Sequence, residues 1–300
     1  MTDQIQVSMD ASQGADISVL PEGCISNVLS FTSPRDACTL SIVCSLFKNA
    51  ALSDTVWESF LPVDFQSIIS RSSDYYSLLA SSSSKKQLFL RLCQNPILID
   101  EGKKSFALEK WTGKICYMLS ARDLTIVWSD TPTYWRWVSE PDSRFAEVAV
   151  LIMVCWLEIS GKINTQMLSP ATLYTAYLVF KLATGAFGFQ SLPAEVSVGL
   201  AGSESFTRGV FLDAKRGRRR RHGMLSRSWH FGLRASVPTG GSDGGYPKER
   251  ADGWLEIKLG EFFNKEGEDG ELEMSILEVK GGHWKRGLVV QGIEIRPKRE

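Results

Sequence analysis

Apolar side chains recur at intervals of three and four residues between positions 18 and 62, a spacing that lines one face of a helix. After Leu20-Pro21-Glu22, where a proline in the first helical turn loses no hydrogen bond, Ile25, Val28 and Leu29 form the first stripe. Ser33-Pro34-Arg35-Asp36 predicts the next start: Ser33 caps, Pro34 takes the first helical position, and Asp36 sets negative charge against the helix N-terminus. The helix that follows is apolar on more than one side through Ala37, Leu40, Ile42, Val43 and Cys44. Two more short helices carry Leu46, Phe47 and Ala50, then Val56, Trp57 and Leu61.

From about residue 106 the period changes to short alternating runs between Gly, Pro, Ser and Asp clusters, clearest in Trp254-Leu255-Glu256-Ile257-Lys258-Leu259. Strands are predicted at 105–108, 115–119, 124–128, 148–159, 173–182, 206–212, 253–259, 272–279 and 288–295, with Tyr174, Tyr177 and Phe180 in the core. The expected fold is α+β in two domains. A small helical module at 18–62 is followed by a Ser-rich linker with one short helix at 63–104, then an antiparallel, jelly-roll-like β-sandwich at 105–297.

Composition adds a constraint on partners. A module of about 45 residues rarely closes a core alone, so the two-sided apolar helix calls for one. With 34 basic and 34 acidic side chains the chain has no net charge, which excludes nucleic-acid binding through overall positive charge. The charge is uneven: residues 1–104 hold 8 basic and 11 acidic groups, residues 105–300 hold 26 and 23. Lys215, Arg216, Arg218, Arg219, Arg220 and Arg221 form a basic run that reads as a nuclear import signal for an importin or as a solvated loop; without base-stacking motifs, nucleic acid is not expected.

The longest apolar stretch, 148–157, is half a membrane span, and the acidic first twenty residues do not read as a secretion signal, so no membrane is expected. Six scattered cysteines and three histidines, His222, His230 and His283, offer no metal-ligand spacing. Reduced thiols fit the cytoplasm or nucleus. No nucleophile elbow or metalloprotease motif is present, and no catalytic residue or cofactor is expected.

Three indoles and a tyrosine fall within 128–137, and such rings form either core or a platform for the apolar faces of sugars. Glu271 and Glu278 could act as a carboxylate pair, but their odd spacing on a strand sets them on opposite faces.

Leu20-Pro21-Glu22, the Ser33–Asp36 turn, Cys44-Ser45-Leu46-Phe47-Lys48 and Trp57 before Leu61-Pro62 resemble an F-box. That resemblance implies docking on the Skp adaptor and cullin core of a ubiquitin ligase, through Leu20, Pro21, Ile25, Leu40, Val43, Phe47 and Trp57. Residues 121–137, Cys155-Trp156-Leu157-Glu158-Ile159, 177–182, 252–263 and Ile293-Glu294-Ile295-Arg296-Pro297 resemble the phloem lectin domain of tobacco-agglutinin type. The whole chain is similar to plant F-box proteins of the phloem protein two B group. The lectin resemblance implies a site for N-acetylglucosamine oligomers or N-glycan cores, with Trp128 and Trp135 stacking and Glu271 and Glu278 accepting hydroxyls.

The expected function is a non-catalytic substrate-recognition subunit that brings a glycoprotein or protein target to the ligase. Two other readings stay open: a free nucleocytoplasmic stress lectin, and a protein-binding sandwich without sugar affinity.

Overall fold

A computed structural model describes residues 20–190, 192–203, 205–213 and 245–299. The basic run at 215–221 lies outside the described residues.

The four expected helices are α1 (Glu22–Leu29), α2 (Pro34–Leu40), α3 (Ser45–Ala50) and α4 (Asp54–Ser59). Ser33 caps α2: its Oγ accepts from the Asp36 N–H at 3.1 Å and donates to the Asp36 carboxylate at 2.7 Å. The stretch expected as a linker with one helix instead carries three, α5 (Phe65–Ser70), α6 (Tyr75–Ala80) and α7 (Lys85–Gln94). Phe65, Ile68, Ile69 and Leu78 supply the buried anchors of the first two, too few per helix to show a period among the serines. In α7, Leu88, Phe89 and Leu92 are buried, and the Phe89 ring meets Trp57 at 5.3 Å.

The β region forms two antiparallel sheets. The larger runs β1 (Ile97–Ile99), β2 (Lys104–Leu108), β3 (Ile115–Ser120), β14 (Arg286–Pro297), β8 (Thr172–Phe187), β12 (Leu255–Asn264), β11 (Lys248–Glu249), and β5 (Trp135–Val138) joins it through β6 (Val148–Leu151) on β14. The smaller runs β10 (Phe206–Val210), β9 (Ala194–Leu200), β13 (Glu271–Glu278), β7 (Leu157–Asn164), β4 (Thr125–Ile126). The sheets meet closely at Gly161 of β7, where a Cβ would come within 2.7 Å of Leu124 and 3.3 Å of Ile293.

Two expected strands are corrected. The apolar run 148–159 is split into β6 and β7, because Val154 leaves the first line to exchange two backbone hydrogen bonds with Lys285, at 3.0 and 2.8 Å. This crossing carries the chain from the large sheet to the small one. The run 124–128 pairs in register over Thr125 and Ile126 and makes one further bond from Val127, since Trp128 turns into the left-handed region at φ 62°.

The helices and the large sheet share one core that extends from Ile25 to Ile295. At the β2–β3 turn, Gly113 sits so close to the Phe60 carbonyl oxygen that a Cβ would approach it to 2.8 Å, and the Arg35 N–H donates to the Trp111 carbonyl at 3.4 Å.

Near the same end of β14, Glu294 is buried among arginines. Arg250 donates to it at 2.7 Å and Arg296 at 2.6 Å, and Arg144 stands 3.4 Å away. Burial alone would raise the Glu294 carboxyl, but the Arg250 hydrogen bond and the three positive charges hold it down to about 2. A depressed carboxyl stabilises the fold above its ordinary value near 4.5 and loses that contribution as pH falls toward about 2. Glu294→Gln is therefore expected to cost about 3 kcal/mol at neutral pH and to flatten the loss of stability between those two values, as read from urea unfolding at stepped pH.

Candidate functional site

The chain register gathers exposed indoles at one end of the β region. Val127 N–H donates to the Glu158 carbonyl at 3.1 Å, continuing the β4–β7 ladder by one bond before Trp128 turns away. A bulky side chain held at positive φ is strained by roughly 1–3 kcal/mol, and such strain concentrates where function fixes the backbone. The turn leaves the Trp128 indole 44% exposed, with its ring 5.2 Å from that of Tyr134. Trp156, 43% exposed, precedes β7, and its Nε1 donates to the Glu158 carboxylate at 2.8 Å. Trp284, 53% exposed, and Phe187 join them where β8 ends opposite the start of β14. Exposed rings beside a carboxylate can stack on apolar ligand faces and accept hydroxyls at their rim.

Of the four residues expected to hold a sugar, the structure brings Trp128 and Glu278 to this end, buries Trp135 beneath it and sets Glu271 far from it. Trp135 is 2% exposed; its ring fills the core and its Nε1 donates to the Val127 carbonyl at 3.2 Å, so it supports the Trp128 turn from beneath. Glu271 and Glu278 sit at opposite ends of β13, seven residues and roughly 24 Å apart, and on opposite faces. Glu271 is exposed beside Lys162 at 3.6 Å. Glu278 is buried in an ion pair with Lys285, whose Nζ also donates to the carbonyls of Cys155 and His283 at 3.1 and 2.8 Å. Burial pushes the Lys285 ammonium down. Glu278 thus anchors the loop that presents Trp156 and Trp284.

Trp156, Glu158 and Trp284 were not among the expected site residues. The Trp156-Leu157-Glu158 alternation was the available signal: with Leu157 buried, its two neighbours must share the opposite face.

At the helical end, Leu20 is 44% and Val43 65% exposed, and Pro21 is exposed too. Leu40 and Phe47 are half-buried against the core, whereas Ile25 and Trp57 are internal, the latter donating from Nε1 to the Ala51 carbonyl at 2.7 Å. Phe31 and Ile42, each 84% exposed, complete an apolar surface that no described residue covers.

The F-box domain profile matches residues 17–59 and the Phloem protein 2 profile residues 114–297. The putative F-box protein PP2-B12 of Arabidopsis thaliana is 50% identical over 281 residues, covering 93% of this chain and 97% of that protein. The chain belongs to the PP2-B family of F-box proteins. F-box protein At2g02240 of the same plant is 47% identical over 281 residues, covering 94% of this chain and 80% of the relative. Among solved structures, a family 35 carbohydrate-binding module from Clostridium thermocellum covers 60% of this chain and 96% of its own at 9% identity and a TM-score of 0.32, a likeness that carries no argument about ligand. F-box proteins are non-catalytic adaptors, and the F-box implies a Skp adaptor and cullin as partners of this PP2-B protein. Among the described residues no helix is long and apolar enough to cross a membrane.

Proposed function

We propose that this PP2-B protein is the substrate-recognition subunit of a Skp–cullin–F-box ligase whose phloem domain selects targets bearing N-acetylglucosamine oligomers or N-glycan cores. The observation that carries the reading is the separation of two exposed apolar surfaces along one strand. The helical module packs at the β2–β3 turn, near the C-terminal end of β14, and the indoles stand at its N-terminal end. Twelve residues of extended chain span roughly 40 Å between them. A continuous core makes that span stiff, so a ligand held by Trp128 and Trp156 is kept at a fixed reach from the ligase.

In this reading the F-box occupies 18–62, Leu20, Pro21, Val43, Leu40 and Phe47 touch the adaptor, and Ile25 and Trp57 shape the face from inside. The phloem domain closes as a jelly-roll-like sandwich. The protein works in cytoplasm and nucleus, entering the latter through an importin bound to the basic run. Met153, Phe187 and Leu192, exposed beside the indoles, favour a second reading in which the same end grips a protein surface without sugar.

A glycan array probed with the full-length chain tests the choice. Binding to N-acetylglucosamine oligomers, lost in Trp128→Ala and Trp156→Ala, is the expected result; a silent array from folded protein sinks the sugar reading.

A further inference from the structure

The outer face of the small sheet carries a row of hydroxyls that runs from one edge to the other. Pairing aligns Thr125 of β4 with Ser160 of β7, Ser160 with Ser275 of β13, Ser275 with Ser197 of β9, and Ser197 with Thr207 of β10. Four strand gaps make the row roughly 19 Å long. Ser197 and Ser275 share a hydrogen bond at 2.8 Å, while the hydroxyls of Thr125, Ser160 and Thr207 meet no partner among the described residues.

Small side chains here leave a groove of about 140 Å3 lined by Ser160, Lys162, Ser197, Gly199, Glu273 and Ser275. The next outward position along each of two strands is acidic: Glu158 and Glu195 flank Leu277 on neighbouring strands. Lys162 pairs with Glu273 at 2.5 Å and Lys280 with Glu195 at 2.5 Å, and with Glu158 and Glu271 on the same face the balance is acidic. Such a face repels anions, and its hydroxyls and carboxylates suit a neutral chain rich in hydroxyls. It is also continuous with the candidate site, because Glu158, which holds the Trp156 indole, lies on the same face of β7 as Ser160.

We infer that the hydroxyl row is an extension of the sugar site, taking the further residues of a neutral oligosaccharide whose end is held by Trp128 and Trp156. The inference rests on the sugar reading of the aromatic end. It assigns to the sheet face the gain in affinity with oligomer length, and to the indoles the recognition of the first units.

The test is calorimetric titration of the full-length chain with the N-acetylglucosamine dimer and pentamer, beside Ser275→Phe, which fills the groove from the solvent side. Wild type should bind the pentamer about tenfold more tightly than the dimer, and Ser275→Phe should hold both at the dimer's affinity. If Ser275→Phe lowers the melting temperature, Ser160→Ala with Ser197→Ala gives the same comparison, since together they remove one unpartnered hydroxyl and one hydrogen bond on the outer face. Equal dimer and pentamer affinity in wild type, or an unchanged length gain in the variants, overturns the inference and leaves the aromatic site standing. No binding of either oligomer overturns both.

Discussion

Val43→Asp is expected to abolish co-purification with the Skp adaptor without lowering the melting temperature. Val43 follows α2 with 65% of its surface free and contributes nothing to the core. A carboxylate there must be desolvated on docking, and at the centre of an apolar interface that costs about 2–4 kcal/mol, thirtyfold or more in affinity. Trp57→Ala should lose the adaptor by another route. Its indole is 1% exposed, packs on Phe60 and Phe89 and bonds the Ala51 carbonyl, so truncation removes about 3–5 kcal/mol of stability. Because Phe89 belongs to α7, which packs on β2, the loss should spread into the β region, visible as lower hydrogen-exchange protection of β2 and β3. Adaptor binding by folded Val43→Asp equal to wild type would place the docking surface elsewhere.

The two indoles matched by resemblance to the lectin site should behave in opposite ways. Trp128→Gly is expected to lose retention on an N-acetylglucosamine-oligomer column and to gain up to about 1 kcal/mol of stability, since glycine relieves the strain of a positive φ. Trp135→Ala should unfold more easily by about 3–5 kcal/mol, as its ring fills the core and its Nε1 holds the Val127 carbonyl. Any loss of sugar binding in Trp135→Ala should then track the fraction unfolded. A Trp135→Ala protein that stays fully folded and binds nothing would return that indole to the binding surface.

The helical period and caps were legible wherever a stripe ran long enough, as in α1 and α7, and the Ser33–Asp36 cap formed as its residue types require. Helices α5 and α6 escaped because each carries few anchors in a serine-rich stretch. The change of sheet at Val154 could not be read from an apolar run, because burial on both sides of the crossing looks the same in sequence. The site was legible only in part. Clustered tryptophans marked a segment that carries one exposed indole, but which indole faces water depends on the turn at Trp128, a backbone feature with no glycine to announce it. The Glu271 and Glu278 spacing did show that they occupy opposite faces; that Glu278 is held by Lys285 requires the fold.

That one rigid chain holds ligase adaptor and sugar at once is an expected result. Its most direct test loads the Skp adaptor onto an N-acetylglucosamine-oligomer column with the full-length protein. The adaptor should be retained only in the presence of wild-type chain, lost with either Val43→Asp or Trp128→Gly, and released by free oligomer. Retention of the chain without the adaptor, or capture of the adaptor by chain that ignores the column, would show that the two surfaces do not work together on one chain.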